Sequence, residues 1–242
     1  MTERSAPPLL LIPGLLCDAA TWQPQVEALG GVADCVIARH GLADSITAMA
    51  HQALAAMPPG PFAVAGHSMG GRVALEIMRM APARVTRLAL LDTGYQALAD
   101  GPPGQAERAQ RQALLEMART QGMRAMGTRW ARGMVHADRL DGPLFEEILQ
   151  MIERATPEVF AAQIEALLAR PDTTALLPAI RVPTLLLCGR EDAWSPLARH
   201  EAMQALIPGA TLAVIEHCGH MSTMEQPEAV SDALTAWLAG KP

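Results

Sequence analysis

The chain has 242 residues, half of them apolar and 18% charged, which is enough to bury one large core and excludes a disordered polymer. Its formal net charge is −6, lysine is nearly absent and no Lys/Arg cluster stands out, so a nucleic-acid-binding surface is excluded as well. Four scattered cysteines (Cys17, Cys35, Cys188, Cys218), with no C-x-x-C pair, point to neither a zinc site nor a disulfide framework and read as packing residues in a reducing compartment.

From the N-terminus, the apolar run 9–12 is bounded by prolines and predicts a strand buried on both faces. It is too short for a signal-peptide core or a membrane span, so a soluble cytoplasmic protein is expected. Pro13-Gly14-Leu15-Leu16 follows, and Asp18 is placed to cap a helix carrying Trp22, Val26 and Leu29. A second short strand falls at 35–38. A stripe of Ile46, Met49, Ala50, Ala53, Leu54 and Met57 predicts the next helix, stopped by Pro58-Pro59-Gly60.

The run Phe62-Ala63-Val64-Ala65 then feeds directly into Gly66-His67-Ser68-Met69-Gly70. A helical pattern follows at once, with Val73, Ala74, Ile77, Met78 and Ala81 on one face and Arg72, Glu76 and Arg79 off it. A strand before Gly-x-Ser-x-Gly and a helix after it make a nucleophile elbow, with the Ser68 hydroxyl held clear of the sheet. The flanking glycines supply the space that so tight a turn needs. A fourth strand is expected at 87–94.

Strands and helices have alternated to this point, the signature of right-handed βαβ units in a mostly parallel sheet with helices on both faces. The pattern breaks between 95 and 177, where four helical runs and no strand are expected, the last opening with Thr156 as cap and Pro157 at the first helical position. This block reads as an inserted helical cap, leaving 1–94 and 178–242 as the α/β core. Strands resume at 184–189 and 211–215, and a last helix carries Val230, Ala233, Leu234, Trp237 and Leu238.

A serine hydroxyl needs a positioned base, and the base needs a group that fixes its tautomer. In open parallel sheets such groups come from the carboxyl ends of strands. Gly189-Arg190-Glu191-Asp192 and Cys218-Gly219-His220 follow the last two strands, giving the order Ser, acid, His. With Glu225-x-Pro227-Glu228 beyond them, these segments make the chain resemble the α/β-hydrolase superfamily in its capped branch. The resemblance implies Ser68 as nucleophile, Asp192 as acid and His220 as base, with the backbone N–H groups of Leu15 and Met69 as the oxyanion hole. Where many relatives have His-Gly, this chain has Pro13-Gly14, a change that bears on how the hole loop is braced.

His217, Glu191 and Asp92 are the rivals. The resemblance puts the base after Gly219, so His217 reads as a loop residue; Glu191 reads as a solvated carboxylate. Asp92 ends the fourth strand, where some superfamily members keep their acid. His67 is expected to pack beside the elbow, and His40, His51 and His200 to lie at the surface or in loops. The cap methionines, Met126 among them, line an apolar pocket together with Trp130 if they face the elbow, and otherwise form the seam between cap and sheet. Trp194 is the expected pocket wall beside the acid.

The expected activity is a serine hydrolase acting on a carboxylic ester of a small to medium, largely apolar acid through an acyl-enzyme. An enol-lactone, a thioester or a C–C bond stays open as the target, as does a non-catalytic ligand receptor on the same shell. No metal or cofactor pattern is present in the sequence. The expected partner is a small apolar acyl substrate, with no nucleic acid or membrane, and the chain acts as a monomer or homodimer.

Overall fold

A computed structural model describes residues 7–240; the ends of the expected core, 1–6 and 241–242, lie outside the described residues. Six strands, β1 (Pro8–Ile12), β2 (Asp34–Ile37), β3 (Phe62–His67), β4 (Val85–Leu91), β5 (Thr184–Gly189) and β6 (Thr211–Ile215), form one sheet in the order β2-β1-β3-β4-β5-β6. Every pairing among the described strands is parallel, in keeping with the expected parallel sheet. The chain runs outward from β1 to β2 and then returns past β1 to β3, which makes a topological switch between β1 and β3.

The strands read as continuous apolar runs because both faces are covered. Leu9, Leu11, Ala63, Ala65, Ala89 and Leu91 face α1 (Gln23–Leu29) and the C-terminal helix of residues 227–238, where Trp22, Leu29, Val230, Leu234 and Trp237 complete the layer. Leu10, Ile12, Val64, Leu88, Leu90 and Leu186 point the other way, toward α2 (Ile46–Ala56) and α3 (Met69–Met80). Ser45 caps α2 by accepting from Ala48 N, and Asp18 caps the turn before α1 by accepting from Ala20 N. That first helix opens as a 3₁₀ turn at Ala19–Trp22.

The fourth strand ends three residues earlier than the periodicity predicts, because Asp92 takes a positive φ of 49° and turns the chain off the sheet. On α3, Glu76 is buried rather than facing water; it accepts from Thr47 Oγ1 and from Arg79, so its charge is paired where it sits.

Between β4 and β5 the described chain forms α4 (Pro102–Gln121), α5 (Met123–Trp130), α6 (Pro143–Glu153) and α7 (Pro157–Leu168), with no strand. Their apolar faces, through Leu115, Met126, Ile148, Phe160 and Ile164, join the same cluster as the α3 side of the sheet. Polar ties fix this block over the strand ends: Gln163 Oε1 accepts from Leu16 N at 2.9 Å, and Arg154 Nε donates to Asp18 at 2.7 Å. Two helices have no counterpart in the sequence reading, α8 (Leu197–Leu206) between β5 and β6 and a four-residue helix after β6. The short α9 (Ser222–Glu225) and then α10 (Pro227–Leu238) end the fold. No helix among the described residues is long and apolar enough to cross a membrane.

Candidate active site

The turn from β3 into α3 fixes the first group. A Cβ on Gly66 would fall on the Gly70 carbonyl, and one on Gly70 would meet the Ile12 carbonyl, so only glycine lets strand, helix and β1 come this close. Between them Ser68 sits at φ 55°, ψ −118°, a conformation that costs a non-glycine residue on the order of 1–3 kcal/mol. The surroundings hold it there: Ser68 N donates to Leu91 O at 2.9 Å, and Thr93 Oγ1 donates to Ser68 O at 2.6 Å. The Ser68 side chain makes no cap bond to α3, so its hydroxyl is free to face elsewhere.

It faces His220, whose Nε2 lies 2.8 Å from Ser68 Oγ. On the other side of the ring, Nδ1 lies 2.8 Å from Asp192 Oδ2. Asp192 accepts only, so the ring proton sits on Nδ1 and donates to it, which leaves the Nε2 lone pair toward the serine. The carboxylate is itself pinned, its Oδ1 accepting from Trp194 N at 2.8 Å and from Ser195 N at 2.9 Å.

Burial works to raise the Asp192 carboxyl, but the charge and hydrogen bond of His220 and the two amides outweigh it and hold the group below the usual range. Burial likewise works to lower His220, and the Asp192 charge and hydrogen bond outweigh it, so its pKa is raised.

The loop that carries His220 is clamped at both ends by one side chain. Glu225 Oε1 accepts from Gly219 N at 3.0 Å and Met221 N at 3.1 Å, while its Oε2 accepts from His136 N at 2.7 Å. His220 N also donates to Met134 O at 2.6 Å, tying the loop to the segment after α5. A ring ladder backs the imidazole: Trp194 lies 5.1 Å from His220, and Trp130 stacks on Trp194 at 5.2 Å.

The rivals sit elsewhere. Asp92 faces Ser222 Oγ and Gly189 N, with burial first and the neighbouring Asp192 charge second raising its carboxyl well above the usual range. Its 3.6 Å approach to His67 Nε2 is not an ion pair, because burial first and then His220 push the His67 ring down to about 3 and keep it neutral. His67 instead donates through Nε2 to the His220 carbonyl at 2.7 Å, packing beside the elbow. His217 is exposed, and Glu191, also exposed, accepts from Cys218 N.

Two histidines read as surface or loop residues are buried. His40 donates from Nε2 to Pro13 O at 2.9 Å, bracing the loop where this chain has proline, and burial lowers its pKa. His200 accepts from Thr93 N at 3.2 Å, with burial pushing it down to about 4. A single histidine among apolar residues carries no sequence signal of burial; His40 is held by one backbone bond supplied by the fold and His200 by two, the second from Nδ1 to Pro196 O at 3.4 Å.

Ser68 opens into a cavity of about 390 Å³. Leu15 and Met69 line it beside the serine, and so do Trp130, Trp194 and Met134. Met126 does not: it is fully buried in the seam beneath α5 and is absent from the cavity wall. Cys17 reaches the cavity, with burial pushing its thiol up to about 12, so it is no thiolate. The wall is not wholly apolar as the sequence suggests. Arg72, Arg111, Arg170 and Arg199, from four separate segments, line it with Glu107, and sequence reasoning missed all five because each alone reads as a solvated polar face.

Residues 9–233 match the model of the alpha/beta hydrolase family. The chain is 28% identical over 245 residues to a pimeloyl-[acyl-carrier protein] methyl ester esterase of Nitrosomonas europaea, with 94% of each chain covered. Among solved structures, a thermophilic esterase from Thermogutta terrifontis, solved with malate bound, superposes with a TM-score of 0.86 at 32% identity, covering 98% of this chain and 90% of that one. The enol-lactonase from Burkholderia xenovorans LB400 shares the fold, with a TM-score of 0.83 at 24% identity over 98% and 94% of the two chains.

Proposed function

The chain belongs to the alpha/beta hydrolase family, and from that premise we propose that it hydrolyses a carboxylic ester through an acyl-enzyme on Ser68. One observation carries the reading: His220 bridges Ser68 Oγ and Asp192 Oδ2 with a 2.8 Å contact on each ring nitrogen. The similarity to named esterases at 28% and 32% identity supports an ester as the bond attacked.

In the first half-reaction Ser68 Oγ adds to the ester carbonyl while His220 Nε2 takes the hydroxyl proton. Charge develops on the carbonyl oxygen, where the N–H groups of Leu15 and Met69 donate. One such donor is worth about 2.7–4 kcal/mol. His220 then returns its proton to the departing alcohol, leaving the acyl group on Ser68. In the second half, water loses a proton to His220 as it attacks the acyl carbonyl, and collapse releases the acid and restores the Ser68 hydroxyl. Asp192 stays ionised throughout and stabilises the imidazolium that forms twice. Residues 95–177 act as a cap that shapes the acyl site, through Trp130 on α5 and Leu114 and Leu167 on α4 and α7.

Ester turnover tests the reading. Wild-type protein is expected to hydrolyse short-chain methyl and p-nitrophenyl esters, and Ser68→Ala to lower kcat by several orders of magnitude with the fold intact. Ester turnover in Ser68→Ala near the wild-type rate would remove the mechanism, and tight ester binding without turnover in the wild type would make the chain a receptor.

A further inference from the structure

The arginines in the cavity wall are unequally matched by carboxylates. Arg170 grips Glu107 with two hydrogen bonds of 2.8 Å, and Arg111 adds a third at 2.9 Å, so both are paired with that one carboxylate. Arg72 and Arg199 are different. Among the described residues neither has a carboxylate within ion-pair distance; Arg72 Nη1 donates to Gln96 O at 2.7 Å and Arg199 Nη1 to Trp194 O at 3.0 Å.

They converge over Gly94, itself part of the wall: a Cβ built there would lie 2.8 Å from Arg72 Nη2 and 3.3 Å from Arg199 Nη1. Two guanidinium groups this close repel, and burial first, then Arg170 and Arg199, push Arg72 down to about 9. Glu107 opposes this in part, and a carboxylate entering between the two groups would relieve the repulsion further. Both arginines are half-buried, and both line the cavity that holds Ser68.

Position says what enters. Arg72 lies four residues after Ser68, one turn along α3 on the same face, and its side chain leans back toward the helix N-terminus. Arg199 is on α8, just beyond the Asp192 loop, and Trp194 of that loop lines the same cavity. An acyl chain bound to Ser68 therefore enters a cavity whose wall offers both the Trp194 and Trp130 rings and two guanidinium forks.

Resting on the ester-hydrolase reading, we infer that the substrate is a half-ester of a short dicarboxylic acid, its free carboxylate held by Arg72 and Arg199 while Ser68 attacks the ester at the other end. The planar forks match a carboxylate by geometry, and each charge-assisted bond is of the stronger kind. An apolar acyl segment is retained; what changes is its far end.

The test compares monomethyl glutarate with dimethyl glutarate, which differ in one charge and one methyl group. Wild-type kcat/KM is expected to be about ten- to a hundredfold higher for the half-ester. In Arg199→Gln, a half-exposed site, the ratio of half-ester to diester is expected to fall about tenfold, and Arg199→Lys to recover part of it. A second arm titrates glutarate into Ser68→Ala by calorimetry, where Arg199→Gln is expected to weaken binding by a similar factor.

Equal or better turnover of the diester, or a ratio that Arg199→Gln leaves in place, would overturn the inference and leave the ester hydrolase standing. Glutarate bound through Arg199 with neither ester cleaved would do the reverse: the carboxylate site would stand and the hydrolase reading would fall. No glutarate binding to Ser68→Ala would overturn the site outright.

Discussion

Asp92 and Asp192 follow adjacent strands of the sheet, β4 and β5, and both are buried, yet their surroundings push their carboxyl groups in opposite directions. Asp192 gains two backbone N–H bonds and the His220 ring, which lower it; for Asp92 burial and the Asp192 charge outweigh the bonds from Ser222 and Gly189 and raise it. Asp192 bonds His220 Nδ1 whereas Asp92 bonds Ser222 and Gly189, so Asp192 is the carboxylate placed to serve the base. Asp192→Asn is expected to lower kcat by about 10⁴, the scale on which neutralising such an acid acts, while Asp92→Asn stays within about tenfold.

The pH profile should move with it. His220 must be neutral to accept a proton, so activity is lost as pH falls through its pKa, which Asp192 holds above the usual 6.5. Without that charge, burial dominates and lowers the pKa, so the acid limb of kcat/KM in Asp192→Asn is expected at lower pH than in wild type. The opposite ranking of the two variants, or an acid limb that does not move, would transfer the role to Asp92. Ser68 was legible in the sequence because Gly-x-Ser-x-Gly sits between an apolar run and a helical stripe, and Asp192 and His220 because their segments after the last two strands resemble those of the superfamily. Arg72 and Arg199 were not, because convergence from two helices leaves no trace in local pattern.

At the scale of elements, the site depends on loops held by side chains outside it. Glu225 gathers three backbone N–H groups, two flanking His220 and one from His136 in the helical insert, and it is buried while doing so. Glu225→Gln puts an amide donor against one of these donors. It is expected to lower stability by about 1–3 kcal/mol in chemical denaturation, with kcat falling more than KM rises. Unchanged stability and unchanged kcat would show that the loop holds itself. The same dependence explains which elements were readable. α2 and α3 present many buried positions at helical spacing, whereas α8 buries only His200 and Met203 and so leaves almost no apolar stripe to detect. Strand ends were less legible than strands, since a single positive φ at Asp92 ended β4 where the apolar run continued into polar residues.

Across the whole molecule, the parallel order β2-β1-β3-β4-β5-β6 brings the loops after β1, β3, β5 and β6 to one end of the sheet, where residues far apart in sequence meet. The alternation of strands and helices made the sheet legible, and the break after β4 made the insert legible. The lining between them was not, because it is assembled from side chains of α3, α4, α5, α7 and α8 at once. In the proposed reaction a substrate acyl group becomes bonded to Ser68. Intact-protein mass spectrometry after a slowly turned-over p-nitrophenyl ester, followed by peptide mapping, measures this directly. A mass gain of one acyl group is expected, carried by the peptide containing Ser68 and missing in Ser68→Ala. An acyl group on any other residue, or turnover with Ser68→Ala at the wild-type rate, would contradict it.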